Sequence, residues 1–320
     1  MSEYIGIQGQ AVINTGSDPS PGIKGQVWYN NATYAFKISN EVAAGAWATG
    51  GNLATTRRYL AGAGTQTAGL AFGGFVPSPF TNLTATEEYD GSAWATGGNL
   101  GTARRGLAGA GIQTAGLAAG GLTTAATNAT EEYDGSAWTA GGNIGTARVY
   151  LAGCGTQTAG LIFGGESPVT AATEEYDGSA WTAGGSLTTP RKCLGGAGTQ
   201  TAGLAFGGAI PPNTTATEEY NGTSWTTGGN LNTARRYIGG CGTQTAGLGF
   251  GGDPPTGATE KYDGTSWTSV AAMNVARSQA AGAGTQAAGL AFGGYTPPTD
   301  SNATEEFNSP AITTKTLTTT

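Results

Sequence analysis

Glutamate is the residue best placed to do chemistry in this chain, and it recurs on a schedule. Glu87, Glu131, Glu174, Glu218, Glu260 and Glu305 are each followed by a second acidic residue or, in one case, by Lys261. Paired carboxylates are the material of general acid–base catalysis and of hard-cation ligation, and the catalytic use requires two of them to titrate apart. An arginine keeps the same schedule: Arg57, Arg104, Arg148, Arg191, Arg235 and Arg277, each nine residues before a recurring glutamine, while the residue after it drifts through Arg, Val, Lys and Ser. Six equivalent carboxylates with an arginine available to each would all stay ionised alike. The pattern therefore predicts a structural ion pair repeated through the molecule and partly buried between repeat units, with six-carboxylate acid–base or metal work as the functional alternative.

Other chemistries are poorly supplied. There is no histidine, which removes the imidazole base of Ser and Cys nucleophiles and His-ligated zinc or copper. Cys154, Cys193 and Cys241 make no disulfide framework and no metal-site spacing; two of them stand where other repeats have alanine, and read as small apolar residues. The Gly-Gly pairs lack a following Lys and Ser or Thr and precede no helix, so they are not phosphate loops. A net charge of −7 disfavours nucleic acid and anionic membranes. No secretory signal and no run of eighteen apolar residues is present, so synthesis in a cytoplasm without membrane insertion is expected. No cofactor, no metal site and no catalytic residue is assigned.

The elements that must position these residues follow from a strict period. Six units each carry a Trp (47, 94, 138, 181, 225, 267), a Gln 19 residues later, and a Gly-Gly pair ending 8 residues after that. The Thr opening the next strand stands 8 residues before the next Trp, and only the stretch between Gly-Gly and Thr varies, over 11, 8, 7, 8, 6 and 9 residues. Within a unit the signals are those of four short strands: in the second, "RRGLAGAG", "TAGLAAGG", "ATEEYD" and "WTAGG", with a tight turn at Asp134-Gly135. Four strands in such a period, repeated radially, make a propeller blade. The sixth unit has Ile312 where the period calls for Trp, whereas Ala46–Leu53 carries a fourth strand with no third strand before it. A ring closed by residues 46–53 joining the last blade accounts for both and removes two sheet edges.

The phrase "RRYLAGAGTQTAGLAFGG…TATEEYDGSAW", from Ala46 to about Asn308, resembles the kelch repeat. The resemblance implies an all-β fold, a six-bladed kelch-type β-propeller. Kelch-type copper oxidases share such a fold, but their histidine ligands are missing here. Before the ring, "GIKGQVWYNNATYAFKI" reads as two strands, Val27–Tyr29 and Tyr34–Ile38, around an Asn-Asn turn, and resembles short hairpins of bacteriophage tail and virion proteins. A hairpin padding the outside of the last blade is the plainer alternative. The expected organisation is an attachment segment over 1–42, a propeller over 43–308 and a Thr-rich tail over 309–320.

The six Gln side chains either ring one end of a central channel or satisfy backbone at their turns. The variable stretches join second to third strands, so all leave one face, and variable loops on a rigid scaffold are where binding commonly resides. Their candidate binding residues are Phe75, Phe80, Asn82, Asn128, Glu166, Asn213, Asp253, Tyr295 and Asp300, with Phe75, Phe80 and Tyr295 expected as exposed aromatics near the ring's closure. Unconstrained drift is the rival account of the same loops. The functional expectation is a non-enzymatic bacteriophage virion structural protein, on a tail fibre or particle surface. It would bind other virion proteins through residues 1–42 and a host glycan or envelope component through the loops, as a homo-oligomer in the particle. The alternatives are an intracellular kelch-type adaptor and a carboxylate-dependent glycan-active enzyme.

Overall fold

The computed structural model describes residues 13–15, 27–42, 45–309 and 311–316, and every regular element among them is a strand. The chain divides into two compact units, Met1–Gly45 with Ser309–Thr320, and Ala46–Asn308.

In the smaller unit Val27–Asn30 pairs antiparallel with Ala35–Val42, around a turn in which Asn30 Oδ1 accepts from the backbone N–H of Ala32 and Thr33 at 3.0 and 3.1 Å. The side-chain oxygen stands in for a turn carbonyl, as Asn does at such positions. Ile13–Thr15 adds in parallel on one side and Ala311–Thr316 antiparallel on the other, placing Ile312 opposite Glu41.

The larger unit is a six-bladed β-propeller of four-stranded antiparallel sheets. The first blade runs outward through Ala61–Thr65, Ala68–Phe72, Thr86–Tyr89 and Trp94–Thr96. The second to fifth repeat this plan, and the sixth consists of Ala281–Gly284, Ala288–Phe292, Thr304–Asn308 and the N-terminal Ala46–Thr49, with Trp47 opposite Phe307. The closure read from the repeat count is present. Each first strand opens with residues drawn from Gly, Ala and, twice, Cys because each packs against its neighbours' first strands at the axis: a Cβ on Gly62 would lie 2.6 Å from Phe292 and 2.8 Å from the Gly282 carbonyl. Leu70, Phe72 and their counterparts on the second strands fill the space between sheets.

Two complete rings of side-chain bonds, and a third with five of six members, join each blade to the one before it. Each Trp indole N–H donates to the Thr that opens the preceding blade's third strand, from Trp47 to Thr259 at 3.0 Å through Trp94 to Thr304 at 2.8 Å. Each Gln amide donates to two carbonyls of the preceding blade, as Gln66 does to Gly289 and Phe307 at 3.0 and 2.8 Å. The glutamines thus tie blades together on the face opposite the variable loops, instead of closing their own turns. The third ring joins each third-strand tyrosine hydroxyl to the second glutamate of the blade before: Tyr89 to Glu306 and Tyr133 to Glu88 at 2.6 Å, Tyr176 to Glu132, Tyr220 to Glu175, Tyr262 to Glu219. Burial first, and the carboxylate second, push these phenols up to about 12.

At the joint between fifth and sixth blades the tyrosine is Phe307 and the glutamate is Lys261. The two departures from the repeat occupy the equivalent positions of the pair formed at the other five joints, and Phe307 carries no hydroxyl that would need a carboxylate there. Phe307→Tyr with Lys261→Glu is expected to add the sixth bond and stabilise the protein by about 1 kcal/mol, with either single change giving less. Urea denaturation of the four proteins checks this as a double-mutant cycle.

Candidate functional site

The repeated arginines set the base of the variable face. Arg57 Nη2 donates to Glu87 at 2.8 Å, while Nη1 donates to the carbonyls of Gly73 and Ala85, at 3.0 and 2.8 Å, which flank the variable loop. Arg104, Arg191 and Arg235 repeat the pair with Glu131, Glu218 and Glu260 at 2.9, 2.9 and 2.6 Å, and Arg148 and Arg277 pair with Glu174 and Glu305. The second oxygen of each glutamate accepts a backbone N–H of the linker from the preceding blade, Ala54 for Glu87 and Thr188 for Glu218. Each of these six repeated arginines is buried, and burial pulls the guanidinium of Arg57 below its ordinary value while Glu87 opposes the shift. Loop length varies because each loop is stapled at its base by the same Arg; Gly73, at φ 65° with a Cβ position 2.8 Å from the Arg104 carbonyl, allows the chain to turn there.

The residue after each arginine forms the inner rim, in an antiparallel bridge to the start of a loop: Arg58 to Phe75, Arg105 to Leu122, Val149 to Glu166, Lys192 to Ala209, Arg236 to Asp253 and Ser278 to Tyr295. The next residue reaches the axis. Tyr59, Gly106, Tyr150, Cys193, Tyr237 and Gln279 all have left-handed backbones, φ 53–61°. Their peptides close a ring of six hydrogen bonds, each N–H donating to the previous member's carbonyl at 2.7–3.2 Å. Left-handed φ is costly for a non-glycine residue, and here it aims each N–H and C=O along the ring.

Inside this ring the three tyrosines, from alternate blades, touch pairwise with centroids 5.2, 5.4 and 5.6 Å apart. They wall a cup of about 130 Å³ that also takes in Cys193 and Gln279, with Leu60, Leu151, Leu194 and Ile238 below. Burial raises the Tyr59 and Tyr237 phenols, and Cys193 raises Tyr237 further. Burial also pushes the Cys193 thiol up to about 12. At neutral pH Tyr59 and Tyr237 keep their hydroxyl protons and Cys193 is an unreactive thiol.

Around the cup, most of the loop residues singled out from sequence are engaged with neighbours. Phe75, expected to be exposed, is 2% exposed: its backbone is held by Arg58, and its ring lies under the Arg105 guanidinium at 4.5 Å and edge-on to Phe80 at 4.5 Å. Phe80 is 78% exposed. Asn82 donates to the carbonyls of Leu122 and Thr123, both at 2.9 Å, and accepts from Arg105 at 3.0 Å. Asn213 donates to the Asp253 carbonyl at 3.0 Å, Asp253 pairs with Arg236 at 2.8 Å, and Glu166 pairs with Lys192. Tyr295 is half-buried with Arg58 over its ring at 5.1 Å, Asp300 lies 3.6 Å from Arg58 Nε, and Asn128 is exposed.

Sequence reading passed over the cup itself. The signal was available: two residues after each arginine the repeat reads Tyr, Gly, Tyr, Cys, Tyr, Gln, a variable position inside an otherwise constant strand entry. Among the described residues no group of three or more His, Cys, Asp or Glu converges as a metal site. Neither a protein-family model nor a curated protein matches the chain.

Proposed function

We propose that this chain is a non-enzymatic structural protein of a bacteriophage particle, joined to other virion proteins through residues 1–42 and presenting the loop face of a kelch-like ring to a glycan or envelope component of the host surface. The observation that carries the reading is the division of labour in the ring. Residues that repeat are consumed in joining blades and stapling loops, and residues that vary collect on one face around an axial cup. Both oxygens of each first glutamate are occupied by an arginine and a backbone N–H, which leaves none of these six carboxylates free to act as acid or base. The prearranged loops lower the ordering cost of binding. The hairpin carrying "GQVWYN" and "FKI" supports the particle assignment, and the net charge of −7 speaks against a nucleic-acid partner.

Mass spectrometry of purified particles is expected to find the polypeptide as a stoichiometric component, and the soluble protein is expected to compete with particles for adsorption to host cells. Particles that lack it would falsify the assignment.

A further inference from the structure

Four cations stand on the inner rim of the loop face, and three of them are answered by a carboxylate. Lys192 pairs with Glu166, Arg236 pairs with Asp253 at 2.8 Å, and Arg58 lies 3.6 Å from Asp300. Arg105 is the exception, because the loop residue that meets it is a neutral amide, Asn82, whose Oδ1 accepts from Nη1 at 3.0 Å. Its Nε and Nη2 have no hydrogen-bond or carboxylate partner among the described residues, and unlike Arg58 Nε they are not sealed from solvent. These two nitrogens form one edge of the guanidinium, and such an edge matches the two oxygens of a carboxylate. The rim therefore keeps one positive charge uncompensated, with its recognition edge open, on a chain of net charge −7.

The longest variable loop holds that edge in place. Its 11 residues form a hairpin of their own, in which Phe75–Pro77 pairs antiparallel with Phe80–Asn82. The buried Phe75 ring lies 4.5 Å from the Arg105 guanidinium, and Asn82, opposite Phe75 in the hairpin, is itself fixed by the Leu122 and Thr123 carbonyls. Phe80 packs edge-on to Phe75 at 4.5 Å and is 78% exposed, the one exposed aromatic among the described residues of the ring. Its centroid is 5.9 Å from the Arg105 guanidinium carbon. A lone exposed phenyl would need no explanation. Here it supplies an apolar face at a fixed spacing from an open anion site. A pyranose has an apolar side, its axial C–H groups, which suits the electron-rich face of a phenyl, and a uronic or sialic sugar carries its carboxylate directly on that ring. A neutral sugar would leave the Arg105 edge to water, and a small inorganic anion would leave Phe80 uncovered.

We propose that the loop face binds a carboxylate-bearing sugar between the first and second blades, with the carboxylate on Nε and Nη2 of Arg105 and the sugar ring on Phe80. This rests on the reading of that face as a glycan-binding surface and names the class of glycan. The full chain is titrated calorimetrically at physiological salt with trigalacturonate against its methyl ester, and with sialyllactose against lactose. One acidic oligosaccharide per chain is expected, its uncharged counterpart binding about tenfold more weakly or worse; which acid binds tells a uronic from a sialic sugar. Phe80→Ala and Arg105→Gln are each expected to weaken that acid about tenfold, whereas Lys192→Gln, which removes the same charge from a paired position, leaves it unaltered. Phe80 is exposed, so its variant keeps the wild-type melting temperature and decides the matter alone if Arg105→Gln does not fold. Equal binding of acid and uncharged counterpart, acid binding that survives Phe80→Ala, or a glycan array with neutral hits only overturns this site while leaving the glycan-display reading standing. Galactose 6-phosphate or a glutamate-rich peptide binding as tightly as the acidic sugar overturns the carboxylated-sugar assignment. Absence of binding to every glycan of the array overturns both.

Discussion

Arg191→Met is expected to destabilise the ring by about 3–5 kcal/mol, because it strands a buried Glu218 carboxylate. The pair lies at 2.9 Å with side chains 0% and 3% exposed, so water cannot replace the guanidinium. The arginine also leaves two carbonyls behind, those of Gly207 and Ala216, at either end of a variable loop. Adding Glu218→Leu is expected to recover part of the loss, since it removes the unpaired charge but not the bare carbonyls. Guanidinium denaturation of the wild type, both single variants and the double variant measures the coupling. A cost below 1 kcal/mol for Arg191→Met would contradict a buried pair. Near-complete recovery in the double variant would show that the loop staple contributes nothing.

Trp47→Ala is expected to cost a similar ~3–5 kcal/mol, and to do so for a reason no other tryptophan shares. Its indole is buried against Phe250 and Phe307, at 5.2 and 5.3 Å between ring centroids, and donates to Thr259 at 3.0 Å. The strand that bears it is the one joined to its blade only through distant sequence, Ala46 lying opposite Asn308. Losing it therefore frees the outer edge of the last blade, and an unpaired edge is a template for association between chains. Light scattering of the variant should rise with concentration before global unfolding begins. Trp94→Ala is the control: this indole is partly exposed and sits on a strand following its own blade by a tight turn, so a smaller loss without added association is expected. Equal behaviour of the two would mean that ring closure carries no special weight.

Periodic features were legible in the sequence because each is set by local spacing. Strand alternation put Glu87 and its counterparts on one face and Glu88 and its counterparts on the other, so a constant first glutamate and a drifting second already implied different surroundings. The missing Trp at Ile312 and the surplus strand at Ala46 told where the ring closes, because a sheet cannot leave one blade a strand short. The partners of the second glutamates were not legible: the tyrosine that meets Glu88 is Tyr133, one blade on, and only the packing of sheets brings them together. For the same reason Lys261 and Phe307 looked like two unrelated exceptions. Phe75 read as an exposed loop aromatic because its neighbours are polar and Pro-rich, but its backbone bridges Arg58 and its ring is buried.

Sequence alone thus determined the number of blades, their order, the closing strand and the arginine–glutamate schedule, since repetition along a chain constrains how its units stack. Tertiary structure alone decided what faces the axis and which polar atoms lack partners. Tyr59, Tyr150 and Tyr237 are separated by about ninety residues each, yet meet in one cup because the ring brings equivalent positions of alternate blades to a single point. Buried oxygens without a hydrogen-bond partner at Ser278, Gln279 and Thr296 arise from which neighbour each loop happens to meet, a matter of three-dimensional adjacency that no linear period encodes.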